Sequence, residues 1–162
     1  MQPRDVGSGM SNSLTDLMTS LAVIFVLLLC ASMNNARQEG ETSRNLVLSA
    51  VHRELNDFVA QGINVKPDPG DALSILILVP ENLLAFQFDK ADIPPGGKTF
   101  LESFIPKLSR VLSSERFSRE VNAVVVEGHT DSSGSARHNC ELSQRRSMSV
   151  VRTSLDILDA KG

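Results

Sequence analysis

V-E-G-H-T-D-S-S-G-S-A-R-H-N-C-E-L-S-Q-R-R-S-M-S-V, Val126 to Val150, is the stretch on which the fold turns. An apolar, β-branched run, Val121 to Val126, reads as a buried strand. A loop flanked by Gly128 and Gly134 follows. A helix then opens near Asn139 and runs to Leu158, with Leu142, Met148, Val151, Leu155 and Leu158 among its apolar positions. This order sets Asp131 and the loop amides close to a helix N-terminus. Free N–H groups and the helix dipole there suit a small anionic group. Arg146, two turns into the helix, can point toward the same loop. An aspartate and an arginine across one cleft suit a zwitterionic ligand. The carboxylate takes an ammonium, and the guanidinium takes a carboxylate in a bidentate fork.

Upstream, Lys98 to Ser114 carries Phe100, Leu101, Phe104, Ile105, Leu108, Val111 and Leu112 at helical spacing. Pro106 inside it predicts a kink or a later start. Leu73 to Val79 is short and apolar, so it reads as a buried strand, and Leu83 to Phe88 as a second, shorter one. Lys66 to Asp71, K-P-D-P-G-D, reads as a loop. Asn45 to Ala60 is helical, with Val47, Val51, Leu55, Phe58 and Val59 on one side. The polar run 34–45 reads as a linker. The expected fold class is α/β: strand, helix, strand, helix, with helices on one sheet.

The first 35 residues belong to a different solvent. Leu21 to Ala31 are eleven consecutive apolar positions. With Leu17, Met18, Thr19 and Ser20 they reach the roughly 20 residues that span a bilayer. Met1 to Ser13 carries only Arg4, offset by Asp5, which argues against a cleaved signal peptide. The expected organisation is a short cytoplasmic tail (1–13), a transmembrane helix (14–33), a linker with an amphipathic helix (34–71) and a globular domain (72–162). Arg4 lies on one side of the span and Arg37 and Arg44 on the other, so loop charge does not set the orientation. Asp16 starts the span. Two readings of it stand: a solvated interfacial residue at a helix start, or a proton carrier, because low dielectric favours the neutral acid. Asp16, Thr19, Ser20 and Val23 share one helix face.

Composition narrows the function. Lys+Arg number 16 against 19 Asp+Glu, and Trp and Tyr are absent, so a nucleic-acid footprint is not expected. Two cysteines, Cys30 and Cys140, make neither a disulfide scaffold nor a zinc site. They lie in segments facing different media and are not expected to pair. His129, Asp131 and His138 could serve as metal ligands or an acid/base set. A metal site needs three or more converging ligands, however, and no activated nucleophile is evident. The chain is not expected to be an enzyme, and no cofactor or metal is called for. His52, on the linker helix, reads as a solvated surface residue.

The spacing G-H-T-D-x-x-G, then N-x-x-L-S-x-x-R-x-x-x-V, resembles the OmpA-like peptidoglycan-binding domain. The residues are Gly128, His129, Thr130, Asp131, Gly134, Asn139, Leu142, Ser143, Arg146 and Val150. The resemblance covers about Ala72 to the C-terminus. It implies that Asp131 and Arg146 hold the diaminopimelate of the cell-wall peptide, that Thr130, Asn139 and Leu142 shape the same pocket, and that His129 is structural. Arg145 keeps the reading of a solvated helix face. Ser147 stands where family domains often have Ala. The family continues to a last strand with an N-R-R-like motif, whereas this chain stops at Gly162. A C-terminally truncated domain with an exposed sheet edge is therefore expected.

At the other end, Asp16-Leu17-Met18-Thr19-Ser20 before an apolar run resembles the D-[LF]-M-T-[AS] signature of MotB-type stator B subunits. That resemblance implies a proton-carrying Asp16 and a single-pass protein of the bacterial inner membrane with its C-terminal domain in the periplasm. It also implies two copies inside a ring of a multi-spanning MotA/ZorA-like A subunit. The short neutral tail and the S-L-T-D-L-M-T-S-L form are more similar to the ZorB branch, from Zorya anti-phage defence, than to flagellar proteins. The rival is a passive, Pal-like or OmpA-like wall tether. It explains Asp131 and Arg146 equally well, leaves Asp16 without a role, and needs lipid on Cys30, where the preceding Leu29 is not small.

Overall fold

The computed structural model describes residues 6–130 and 135–160. The chain divides into two compact units, Met1–Thr42 and Ser43–Gly162. A helix, α1 (Val6–Glu54), supplies the first unit and opens the second.

In the first unit the side chains from Ser13 to Met33 are all exposed, Leu17 by 68% and Phe25 by 66%. An apolar helix that buries no face against protein needs an apolar solvent. Among the described residues one helix is long and apolar enough to cross a membrane, within Ser13–Glu54. Thr19 is accommodated by donating its hydroxyl to the Thr15 carbonyl at 2.8 Å. The polar run 34–45, expected as a linker, is helical. It contains no proline. Arg37 Nε pairs with Glu41 Oε1 at 3.1 Å, and Thr42 Oγ1 donates to the Gln38 carbonyl at 2.8 Å. Pairs one turn apart of this kind support a helix that has no core beneath it.

The second unit builds its core from the last turns of α1. Val47, Val51 and Leu55, spaced four apart, are 4%, 1% and 0% exposed. A short helix, α2 (Asn56–Val59), adds Phe58. Two strands follow, β1 (Asn64–Pro67) and β2 (Ile75–Leu78), antiparallel with Val65 opposite Ile77. β2 lies within the expected Leu73–Val79 strand. β1 takes in Lys66 and Pro67 from the expected loop; Pro67 closes the strand, where a missing N–H is tolerated. The connection is held by its aspartates: Gly70 N donates to Asp68 Oδ1 at 2.7 Å and Leu73 N to Asp71 Oδ1 at 3.0 Å. The Ser74 hydroxyl, and then the Leu73 amide, hold the Asp71 carboxyl below its ordinary range.

The expected strand Leu83–Phe88 is not formed. A single helical turn, α3 (Glu81–Leu84), stands there instead. Pro80 enters it in extended conformation and Ala85 leaves it left-handed, at φ 49°. A left-handed residue cannot continue a strand. The two long helices are found as expected, α4 (Pro95–Leu112) and α5 (Ala136–Asp159). α4 starts on Pro95, where a missing N–H has no helical partner to lose. Pro106 sits inside α4 without ending it. The buried face of Phe100, Leu101 and Phe104 offsets the lost ladder bond. Phe58 meets Phe104 and Phe100 edge-on, at 5.4 and 5.9 Å between centroids, and Phe100 stacks on Phe104 at 5.2 Å. Lys107 Nζ reaches Asp57 Oδ2 at 2.8 Å, and that bond and charge lower the Asp57 carboxyl's affinity for a proton. A β-carbon on Gly97 would lie 2.7 Å from the Leu84 carbonyl oxygen, so α4 approaches α3 as only glycine allows.

Val121–Val126, expected as a buried strand, runs without ladder partners, with Val124 and Val125 exposed by 62% and 77%. β-branched residues make a strand only where a neighbouring strand takes their hydrogen bonds. Among the described residues the sheet is β1–β2 alone. The fold is thus a mixed helix-and-strand domain following a long apolar helix, as expected, but with its strands placed first as a hairpin.

Candidate functional site

α5 begins at Ala136, three residues before the expected opening near Asn139. Ser135, extended at φ −83° and ψ 145°, caps it: its Oγ accepts the His138 amide at 3.2 Å. The segment leading into the cap, 126–130, lies against the helix. A β-carbon on Gly128 would collide with the Ser143 carbonyl oxygen. This contact explains why the motif opens on glycine; Thr130, two residues on, is half-buried. Asp131, expected as the carboxylate of the site, lies outside the described residues.

His138, Leu142 and Arg146 follow at four-residue intervals and share one face of α5. Leu142 is 6% exposed and is not part of the main core cluster. Asn139 is half-buried beside it. Arg146 does not stand free. Its Nε donates to the Lys90 carbonyl at 3.0 Å and its Nη2 to the Gln87 carbonyl at 3.2 Å, and its guanidinium covers the Phe86 ring at 5.0 Å. His138 Nε2 meets Asp89 Oδ1 at 2.5 Å.

Sequence reasoning missed this partner of α5, the loop after α3. Two of its non-glycine residues are left-handed, Ala85 at φ 49° and Asp89 at φ 57°. Phe88 on it is 89% exposed. The available signal was chemical: Asp is among the few residues that enter the left-handed region readily. Such a loop is fixed by partners distant in sequence, and no local pattern announces them.

The other expected residues are placed as follows. Arg145 and His129 are exposed. His52 is exposed on α1. Cys30 and Cys140 are free thiols. Asp16 is an exposed residue of α1 in the first unit. Among the described residues no three His, Cys, Asp or Glu side chains converge as a metal would need.

Residues 85–156 match the OmpA family. That region covers the loop after α3, α4, the 121–130 segment and nearly all of α5. This part of the chain is similar to OmpA-family domains. Similarity to curated proteins extends further. The Zorya protein ZorB of Escherichia coli O139:H28 is 27% identical over 156 residues, 89% of this chain and 60% of that protein. ZorB of Escherichia coli ATCC 8739 is 26% identical over 161 residues, 90% of this chain and 67% of the relative. Outer membrane protein A of Shigella flexneri is 29% identical over 118 residues, 66% of this chain and 31% of its own length. The resemblance read from the two motifs, an OmpA-like domain in a ZorB- or MotB-type chain, is thereby borne out. The chain spans 60% of the length of the first ZorB relative.

Proposed function

We propose that this chain is the membrane-anchored, peptidoglycan-binding subunit of a proton-driven, stator-like complex of the Zorya anti-phage type. The observation that carries the reading is the pairing, in one chain, of an apolar spanning helix opening on Asp16-Leu17-Met18 with a domain similar to the OmpA family, the whole similar to ZorB over about nine-tenths of its length. Neither end alone calls for both ion transport and wall attachment.

In this reading the helix lies in the bacterial inner membrane and the domain in the periplasm. Two copies set their helices inside a ring of a multi-spanning A subunit. Asp16 takes a proton from the outer side and releases it inward. Each charge moved across the membrane potential supplies about 2.3 kcal/mol per 100 mV. The domain grips peptidoglycan through the α5 site. Asp131 takes the ammonium of a diaminopimelate side chain and Arg146 its carboxylate, and Thr130, Asn139 and Leu142 wall the pocket. Held by the cell wall, the B subunits stay fixed and the ring turns.

The test is co-expression with a multi-spanning A subunit. Asp16→Asn should leave membrane insertion, wall binding and co-purification intact and abolish proton-dependent activity, read as protection against phage. An Asp16→Asn chain that protects as well as the parent overturns the motor reading. A chain isolated without any multi-spanning partner and lipidated on Cys30 is the passive tether instead.

A further inference from the structure

We propose that His138 is a positioning residue of the wall-binding site, holding the loop after α3 against α5 through Asp89; this rests on the peptidoglycan reading above. The loop is anchored at its start, where the Ala85 amide donates to the Glu81 carbonyl at 2.7 Å and Phe86 packs on the main core, but its tip is not. Asp89 and Phe88 are exposed, Ala85 and Asp89 are left-handed, and the half-buried Phe86 is covered by the Arg146 guanidinium. Two α5 side chains, one face and two turns apart, fasten it. Arg146 takes the main chain, at Gln87 O and Lys90 O. His138 takes the side chain, at Asp89 Oδ1. Leu142 lies between them on that face, buried.

The division of labour matters for binding. With its Nε and Nη2 engaged on the loop, Arg146 offers a ligand carboxylate a geometry that depends on where the loop sits. His138 is the second tether that stops the loop from pivoting about Arg146. It fixes the loop before a ligand arrives, and such preorganisation lowers the ordering cost of binding. The neighbouring charges do not compete for this role. Arg137 and Glu141 pair with each other at 3.3 Å. The His138 and Asp89 side chains are 45% and 52% exposed, so the contact sets a modest effect on affinity, about three- to fivefold.

The experiment uses the full chain in detergent, with purified diaminopimelate-containing sacculi as the probe. The chain has no Trp or Tyr, so Phe88→Trp places a single fluorophore on the loop and reads its mobility by anisotropy without any ligand. Glutamine can place an N–H donor near the position of the imidazole Nε2. His138→Ala should lower sacculus affinity about three- to fivefold and lower the anisotropy of the indole, with the melting temperature unchanged. His138→Gln should restore both. In an Asp89→Ala background, His138→Ala should have no further effect. The proposal is overturned if His138→Ala binds like the parent, if His138→Gln fails to rescue, or if the two alanine substitutions add. In each of those cases parental binding still supports the wall reading. If the parent itself does not bind sacculi, the wall reading falls, whatever the loop fluorophore reports, and the positioning role falls with it.

Discussion

Replacing Arg146 tests how one side chain can both build the site and serve it. In the structure its guanidinium makes two hydrogen bonds to loop carbonyls, at 3.0 and 3.2 Å, and covers Phe86 at 5.0 Å. Hydrogen bonds from a charged donor are worth about 1.5–3 kcal/mol when buried. Arg146 is partly exposed, so about 0.5–1 kcal/mol each is appropriate, with about 0.5 kcal/mol for the ring contact. Arg146→Ala should therefore destabilise the domain by roughly 2 kcal/mol, a fall of about 6–8 °C in the melting temperature of a domain this size. Arg146→Lys keeps the charge and can keep one carbonyl bond, so it should cost about half as much. Wall binding should separate the two roles differently. A lysine has no planar fork for a carboxylate, so sacculus affinity should drop about tenfold or more in both variants. Thermal melting by circular dichroism gives the first quantity, and co-sedimentation with sacculi the second. An Arg146→Ala chain that melts with the parent would refute the fastening role. An Arg146→Lys chain that binds sacculi as the parent does would refute the fork.

Three further outcomes follow from the packing. Leu55, between α1 and α2, is fully buried, so Leu55→Ala should cost about 2–4 kcal/mol in the same melting experiment. Gly128→Ala forces a methyl group against the Ser143 carbonyl; the segment must move off α5, with about 1–3 kcal/mol lost and sacculus binding weakened. Asp57 and Asp71 bind protons less readily in the folded chain than their ordinary value of 3.8 implies. Their contribution is therefore full above that value and is lost as the pH falls below it, so melting temperature should decline in acid. Asp57→Asn with Asp71→Asn should flatten that decline.

The parts legible in the sequence are those fixed by neighbours along the chain. α4 and α5 repeat apolar residues at helical spacing, although the cap at Ser135 places the start of α5 three residues before the expected one. The motif spacing marks the α5 face that carries Leu142 and Arg146. What failed depends on partners elsewhere. Val121–Val126 has strand propensity and no strand beside it. β1 has one apolar residue besides its closing proline, Val65, and forms because β2 returns to it. The run 34–45 reads as a linker from its polarity, yet polar residues paired one turn apart make helix. The loop at 85–90 is invisible as part of the site because Arg146 and His138 reach it from more than forty residues away.

The burial of Val51 and Leu55 also has a kinetic consequence. Their partners in the core on α4, Phe100 and Phe104, are made about fifty residues later, and Ile157 about a hundred residues later. At a synthesis rate of about 5–20 residues per second, the end of α1 waits several seconds for α4 and longer for α5. During that interval its apolar stripe has only part of its native cover, from Phe58, Ile63, Val65 and the β1–β2 hairpin. The domain thus completes its core late, with its first-made element as the substrate for its last, and its yield in the cell should depend on whatever shields that stripe in the meantime.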